Sequence, residues 1–493
     1  MLKSFLDHWS SPKYSPDVVT GWNSRFFDIP YLVNRTAKVL GVEAVKKFSP
    51  WGLVNHRQIT RHNKVYETFN LEGIQSMDYL ELFQKFGYTY GAQESYKLNH
   101  IAYVVLGERK LSFEESGSLK NLYKDDFQKY IDYNMKDVQL VDRLEDKMGL
   151  ITLAMTIAYK GGVNYADTFG TTAIWESIIY RKLKSQKTLP IIQENDSVKT
   201  AFAGGYVKDP KVGMHDWVVS FDLNSLYPNI IVQYNMSPET LMTAPDDRVQ
   251  SGVEYYMENK ATPEKDVAVA ANGSTYHKKF QGVVPNIIVD YYDERAATKK
   301  LMLASQQEYQ KNKTYELEKE INRLENTQMA LKILLNSLYG ALGNQYFRYF
   351  DIRLAEGVTL TGQLTIQWAE KAINAEMNKI LKTKNKDYVI AIDTDSLYVN
   401  FGPIMDTIIW KPNDGLEKKV AFLDKICSEH FEPILEKAYA ELFEKMNGYI
   451  NRMTMKREVI ADRGIWTAKK RYILNVHNSE GVQYAEPKLK IMG

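Results

Sequence analysis

Apolar positions along the chain recur in two distinct patterns, and each predicts its own kind of element. Between Asp125 and Met148, Phe127, Ile131, Met135, Val138 and Val141 recur every three or four residues, which predicts an amphipathic helix with that stripe on its buried face. Residues 150–200 keep a helical period through Ile174, Ile178 and Ile179, and Pro190 with the Asn195-Asp196 pair marks a boundary. Residues 288–334 read as two further helices. Their densely charged middle, Glu316 to Glu325, mixes signs at helical spacing and suits the solvated tip of a helical hairpin. Short apolar runs predict strands instead. Asp17 to Asn23 (DVVTGWN) reads as a short buried strand ending in a turn, and Trp217 to Phe221 as a buried strand. Val389 to Phe401 (VIAIDTDSLYVNF) reads as two strands joined by an acidic turn. The stretch from 243 to 281 reads as loop-rich. The first ~150 residues alternate strand-like and helical segments, an α/β pattern.

Composition narrows the class. A chain of 493 residues corresponds to roughly three domains. Its 63 Lys+Arg against 61 Asp+Glu leave a net charge of +2, which excludes a polybasic tail protein and leaves room for a local basic groove. With 44% hydrophobic and 25% charged residues it is an ordinary soluble globular chain. Its 33 tyrosines suit surfaces that stack on bases or sugars, or half-buried core positions. A single cysteine, Cys427, forms no internal disulfide, and no Cys/His cluster has zinc spacing, which fits a reducing compartment. No run of ~18 apolar residues predicts a membrane span, and Met1 to Pro12 does not read as a signal peptide.

The candidate chemistry lies in acids far apart along the chain. Asp222 closes the first strand of SFDLNSLYPNII, and Asp393 and Asp395 sit in the DTDS turn. Acids at apolar strand ends are costly unless a cation binds there, and hard oxygen ligands select magnesium. Two such ions, ~3.5–4 Å apart, clamp the attacking and leaving oxygens of a phosphoryl transfer. DTDS alone reads equally well as a tight hairpin turn. Arg295 and Lys299 form an i,i+4 pair, and Lys332 and Asn336 form another, followed by Tyr339 and Gly340. Together they would line a groove suited to a triphosphate, although single basic pairs usually lie on solvated faces.

Several segments, in order along the chain, carry a resemblance: GWNSRFFDIPY (21–31), YNMKD (133–137), FAGGYV (202–207), DLNSLYPNII (222–231), KILLNSLYGALGNQYFRYFD (332–351), DTDSLYV (393–399), TAKKRY (467–472) and EPKLKIMG (486–493). The chain resembles a family B DNA polymerase, and within that family the replicative enzymes of T-even-like bacteriophages. The resemblance implies a multidomain α/β and α+β protein. Residues 1–149 would be a partial RNase H-like 3′–5′ exonuclease domain and 150–193 a helical connecting segment. Residues 194–281 and 345–493 would form the palm, an antiparallel sheet with helices, and 282–344 the helical fingers.

By this resemblance the chain is a DNA-directed DNA polymerase with two Mg2+ ions, Mn2+ being a substitute. Primer–template DNA and dNTPs would be its partners, in the cytoplasm of a bacterial host. Asp222 and Asp395 would be catalytic metal ligands, completed by the carbonyl of Leu223, with Asp393 and Glu458 auxiliary. Ser225, Leu226, Tyr227, Arg295, Lys299, Lys332 and Asn336 would bind the nucleotide, and the Tyr227 ring would exclude a 2′-hydroxyl. Gly204, Gly205, Lys469, Lys470, Arg471 and Tyr472 would contact DNA. Asp28 and Asp137 would be exonuclease metal ligands, with Tyr133, one helical turn from Asp137, orienting water.

Three departures from the family pattern qualify this. An Asp-x-Glu motif expected before Asp17 is not found, so exonuclease activity is expected to be slight or nil. A thumb after Gly493 is not found either, so synthesis is expected to be weak and distributive. Ala391-Ile392 stands where the family has Tyr-Gly, which questions the fit of the primer end. A second chain supplying thumb or N-terminal parts is one explanation; a partial sequence is the other. The alternative functions are a non-catalytic DNA-binding subunit or inactive fragment of a split polymerase, and, less favoured, a metal-dependent nuclease alone.

Overall fold

The computed structural model describes residues 1–61, 63–190, 202–243, 251–263, 266–412 and 414–493. The boundary expected around Asn195-Asp196, and the 193/194 division between connecting segment and palm, lie outside the described residues. The chain divides into two compact units, one of residues 1–177 with 295–332, the other of residues 178–294 with 333–493. Among the described residues no helix is long and apolar enough to cross a membrane.

The second unit is built on a six-stranded sheet. Its order is Val482–Met492, Arg471–Ser479, Met455–Ala468, Gly213–Leu223, Ser396–Asn400, Val389–Asp393, with every neighbour antiparallel. The strand predicted over Trp217–Phe221 is the inner part of Gly213–Leu223, and the two strands predicted around DTDS are Val389–Asp393 and Ser396–Asn400. Their apolar runs are buried on both faces, which is why they show no polar alternation. Helix Ile352–Leu381 packs against this sheet and against Glu432–Lys445 and Leu226–Gln233. The 243–281 stretch is more regular than expected. Thr275–His277 pairs with Leu241–Thr243 and Val267–Val269 in a three-stranded sheet, and Val253–Glu258 is helical. These elements are too short to leave a periodic signal.

The first unit is mainly helical, so its strand content is slighter than the α/β reading implied. The DVVTGWN segment contributes only Val18–Val19, half-buried rather than buried, paired in parallel with Gln75–Ser76. Val54–Arg61 and Lys64–Leu71 form a hairpin that the apolar pattern did not announce. Helix Phe127–Met148 forms as predicted, but its stripe divides. Leu140, Val141 and Leu144 are buried, whereas Phe127, Ile131, Met135 and Val138 are exposed. Tyr315–Leu342 and Val283–Lys311 are the predicted helical pair, and residues 312–314 form the turn between them.

Candidate active site

Two antiparallel strands bring the second unit's acids together. Asp222 is the register partner of Ser396, so Asp395 lies next to it across the strand ends. The Leu223 N–H donates to the Asp395 carbonyl at 2.9 Å, tying the two segments backbone to backbone. The turn itself is tight: Thr394 has φ +58° and the Asp395 N–H donates to the Asp393 carbonyl at 2.6 Å. DTDS is therefore both a hairpin turn and the carrier of a carboxylate.

The electrostatics of the cluster are unbalanced. Burial pushes the Asp222 carboxyl up to about 7, helped by the charges of Asp395 and Glu458. Burial also raises Asp395, with Asp393 adding to it. Glu458 is held by Ser220 Oγ at 3.0 Å and by Lys490 Nζ at 2.8 Å, and Lys470 Nζ lies 3.2 Å from Asp393. The cations thus reach the flanking acids, and Asp222 stays under-compensated. Among the described residues no three His, Cys, Asp or Glu side chains form a ready metal cage. Two carboxylates and a nearby carbonyl are nevertheless an all-oxygen donor set short of positive charge, and these residues fit a divalent cation.

Around the acids, close packing fixes the neighbouring groups. Tyr206 O accepts from the Thr394 N–H at 2.9 Å, and Lys208 N–H donates to Ile392 O at 3.1 Å, so residues 206–208 run along the DTDS strand. A Cβ on Gly205 would lie 2.8 Å from Thr394 Oγ1 and 3.0 Å from the Tyr227 hydroxyl. Glycine is needed there for internal packing, whereas a Cβ on Gly204 would meet open space. Tyr227 packs against Tyr339, with ring centroids 4.5 Å apart, and burial pushes its hydroxyl up to about 12. Ser225, in a left-handed conformation at φ +48°, starts helix Leu226–Gln233, and the Leu226 side chain is buried. Ile392 is 1% exposed and its side chain fills the core.

Lys469 and Lys470 occupy the turn between Met455–Ala468 and Arg471–Ser479. Lys469 pairs with Asp209 at 3.0 Å, and Arg471 is exposed. Tyr472 differs from these three. It is buried, stacked on Trp466 and hydrogen-bonded to the Tyr398 hydroxyl at 2.7 Å, so its ring anchors the turn from below. Asn336 lies exposed in the second unit, while Arg295, Lys299 and Lys332 fall in the first, on Val283–Lys311 and Tyr315–Leu342.

The first unit has its own acids. Asp28 begins helix Asp28–Leu40, and Asp137 and Tyr133 share one face of Phe127–Met148; all three line one cavity. Desolvation raises the Asp28 carboxyl. Lys110 Nζ sits 2.6 Å from Asp137 Oδ2 and over the Tyr133 ring. Buried Asp78 accepts from the N–H groups of Asn23, Arg25 and Leu80 at 2.9–3.0 Å and so fixes the turn that presents Asp28. Neither Lys110 nor Asp78 was singled out from sequence, because neither belongs to a periodic or clustered pattern. Lys490 was seen only inside EPKLKIMG.

The sequence profile described as "DNA polymerase family B" matches residues 168–424, and "DNA polymerase family B, exonuclease domain" matches residues 1–101. A "DNA-directed DNA polymerase" of Escherichia phage RB69 is 34% identical over 100% of this chain and 59% of its own length. The enzyme of that description from Enterobacteria phage T4 is 32% identical, with coverage of 100% and 59%. A "DNA polymerase delta catalytic subunit" of Candida albicans is 29% identical over 81% of this chain and 38% of its own. The chain thus spans about three-fifths of the length of the phage relatives it matches.

Proposed function

Because the chain belongs to DNA polymerase family B, we propose that it performs DNA-templated DNA synthesis, joining a deoxynucleoside triphosphate to a primer 3′-hydroxyl with release of pyrophosphate. The observation that supports this most is the under-compensated pair Asp222 and Asp395 at adjacent strand ends. Two bound magnesium ions would supply the charge that activates the 3′-hydroxyl and offsets the leaving pyrophosphate. Asp222, Asp395 and the Leu223 carbonyl would hold them, and Asp393 and Glu458 would shape the field around them. In this reading the six-stranded sheet is the palm and the helices Val283–Lys311 and Tyr315–Leu342 are the fingers, whose Arg295, Lys299, Lys332 and Asn336 take the triphosphate. Tyr227, packed on Tyr339, forms the floor under the sugar and selects deoxyribose. Lys469, Lys470 and Arg471 grip duplex phosphates without choosing sequence, and Gly204 offers open backbone beside the template.

The first unit is read as an exonuclease-type domain, with Asp28 and Asp137 as metal ligands. Its likeness to phage enzymes supports the reading that the reaction runs in the cytoplasm of an infected bacterium. Magnesium-dependent addition of one labelled deoxynucleotide tests the reading. Asp222→Asn and Asp395→Asn should each lower the rate by on the order of 10³-fold or more; undiminished addition by either variant would show that the site lies elsewhere.

A further inference from the structure

Helix Ile352–Leu381 carries Gly362 in its buried middle. Apart from proline, glycine is the least favourable residue in a helix interior, so its place there calls for a packing reason. The Tyr227 ring supplies it. A Cβ on Gly362 would lie 3.0 Å from Tyr227 Cε1, closer than side chains normally pack. Its distances to Ile230 Cδ1 and Leu226 Cδ2, both 3.5 Å, are ordinary contacts. Leu226 and Ile230 are buried while Tyr227 is half-buried, so Gly362 lies on the core side of helix Leu226–Gln233 and the ring has only its outward side in which to give. The long helix is held on either side of the glycine. Thr361 Oγ1 accepts from the Ala271 N–H at 3.0 Å, and Gln363 Nε2 donates to the Gly204 carbonyl at 2.6 Å. Tyr227 is less confined. Tyr339 lies beside its ring, and Gly205, which has no Cβ to come within 3.0 Å of the hydroxyl, leaves room at its tip. A methyl group at 362 therefore moves the ring and not the helix.

We propose that Gly362 is a positioning residue for sugar selection: by leaving the space of one Cβ beneath Tyr227, it sets the depth at which the ring lies and so the room left for the incoming sugar. The proposal rests on the reading of Tyr227 as the floor under that sugar. With alanine at 362 the ring stands outward by a few tenths of an ångström. The 2′-hydroxyl of a ribonucleotide, the group that the ring excludes in that reading, then meets it sooner, and a deoxyribose, which lacks that group, loses less. Preference for deoxynucleotides over ribonucleotides therefore tightens.

The test uses the full 493-residue chain with magnesium and measures kcat/KM for one deoxynucleotide and its ribonucleotide on the same primer–template. Gly362→Ala should raise the ratio of the two by about fivefold or more. The change should lie in the ribonucleotide's KM, with kcat for the deoxynucleotide held within about twofold. Alanine is the better helix former, so the melting temperature should stay level or rise. The coupling is to the ring itself. In a Tyr227→Phe background, which keeps Cε1, Gly362→Ala should tighten the ratio by the same factor; in Tyr227→Val, which removes the ring, it should have no effect. Gly415→Ala, at a glycine whose added Cβ meets open space, should leave ratio and kcat unchanged. An unchanged or lowered ratio in Gly362→Ala, a tightening that survives Tyr227→Val, or a lowered melting temperature would overturn the proposal. A Tyr227→Val chain that rejects ribonucleotides as strongly as the unmodified chain would overturn the reading of Tyr227 as the sugar's floor. Lost rejection in Tyr227→Val with no change in Gly362→Ala would overturn the role of Gly362 alone, and absence of any nucleotide addition by the unmodified chain would overturn both.

Discussion

The two units each present aspartates at a candidate metal site, but they offset the charge differently. In the second unit, Lys470 and Lys490 neutralise the flanking acids Asp393 and Glu458, and Asp222 is left with its carboxyl near neutrality. In the first, Lys110 sits directly on Asp137, in the place a cation would take. The supports differ as well. Asp222 and Asp395 stand on the ends of paired strands in a six-stranded sheet, whereas Asp28 and Asp137 stand on separate helices across an open cavity. A site held by a continuous sheet is pre-organised for cation binding.

The strongest way to break the contrast is to neutralise each pair in turn. Asp222→Asn should remove nucleotide addition by on the order of 10³-fold, while Asp28→Asn with Asp137→Asn should leave single-nucleotide addition within about twofold, measured by rapid quench. Equal losses would erase the distinction. Next in size is pH. Magnesium binding needs Asp222 ionised, so affinity should fall about tenfold per pH unit below about 7 and level off above it, by calorimetric titration. Lys490 lowers the Asp222 carboxyl through its charge, so Lys490→Met should move that break to higher pH; an unmoved break would separate Lys490 from the site. Stability should follow the same group with the opposite sign. Because Asp222 is raised in the folded state, its neutral form favours folding, and the contribution is fully present below about 4 and lost as pH rises through 7. Melting temperature without metal should therefore decline over that interval, and Asp222→Asn should flatten the decline. The smallest effect is at the duplex grip. Lys469→Ala or Lys470→Ala should each reduce the logarithmic salt slope of primer–template binding by roughly one; unchanged slopes would remove these lysines from the phosphate contacts.

How much of this could be read beforehand follows from the kind of signal each element leaves. Val389–Asp393 and Ser396–Asn400 announced themselves, since uninterrupted apolar residues around an acidic turn have few other readings. The helical pair joined at residues 312–314 was equally plain from its charged tip. The Phe127–Met148 helix was legible but its buried face was not, because periodicity fixes a stripe and tertiary packing decides how far along it the neighbours reach. Residues 18–19 were over-read as a buried strand, since two valines carry the apolar signature whatever pairs beside them. Asp222, Asp395 and Glu458 were recognisable together, yet Asp222 is raised chiefly by burial, which only folding decides. At Gly205, read as a close approach to template, the structure adds a demand that no pattern announces: a Cβ there would meet Thr394 and Tyr227. Lys110 was invisible, because a lone lysine in a loop carries no pattern until folding sets it on Asp137.

The central claim is template-directed synthesis by the Asp222–Asp395 site. Its most direct test offers the four deoxynucleoside triphosphates one at a time, with magnesium, to a primer annealed to four templates that differ only in the next base. Addition of the complementary nucleotide alone, abolished by chelator, is the result this structure predicts. Failure to extend on any template, or extension indifferent to the template base, would contradict it.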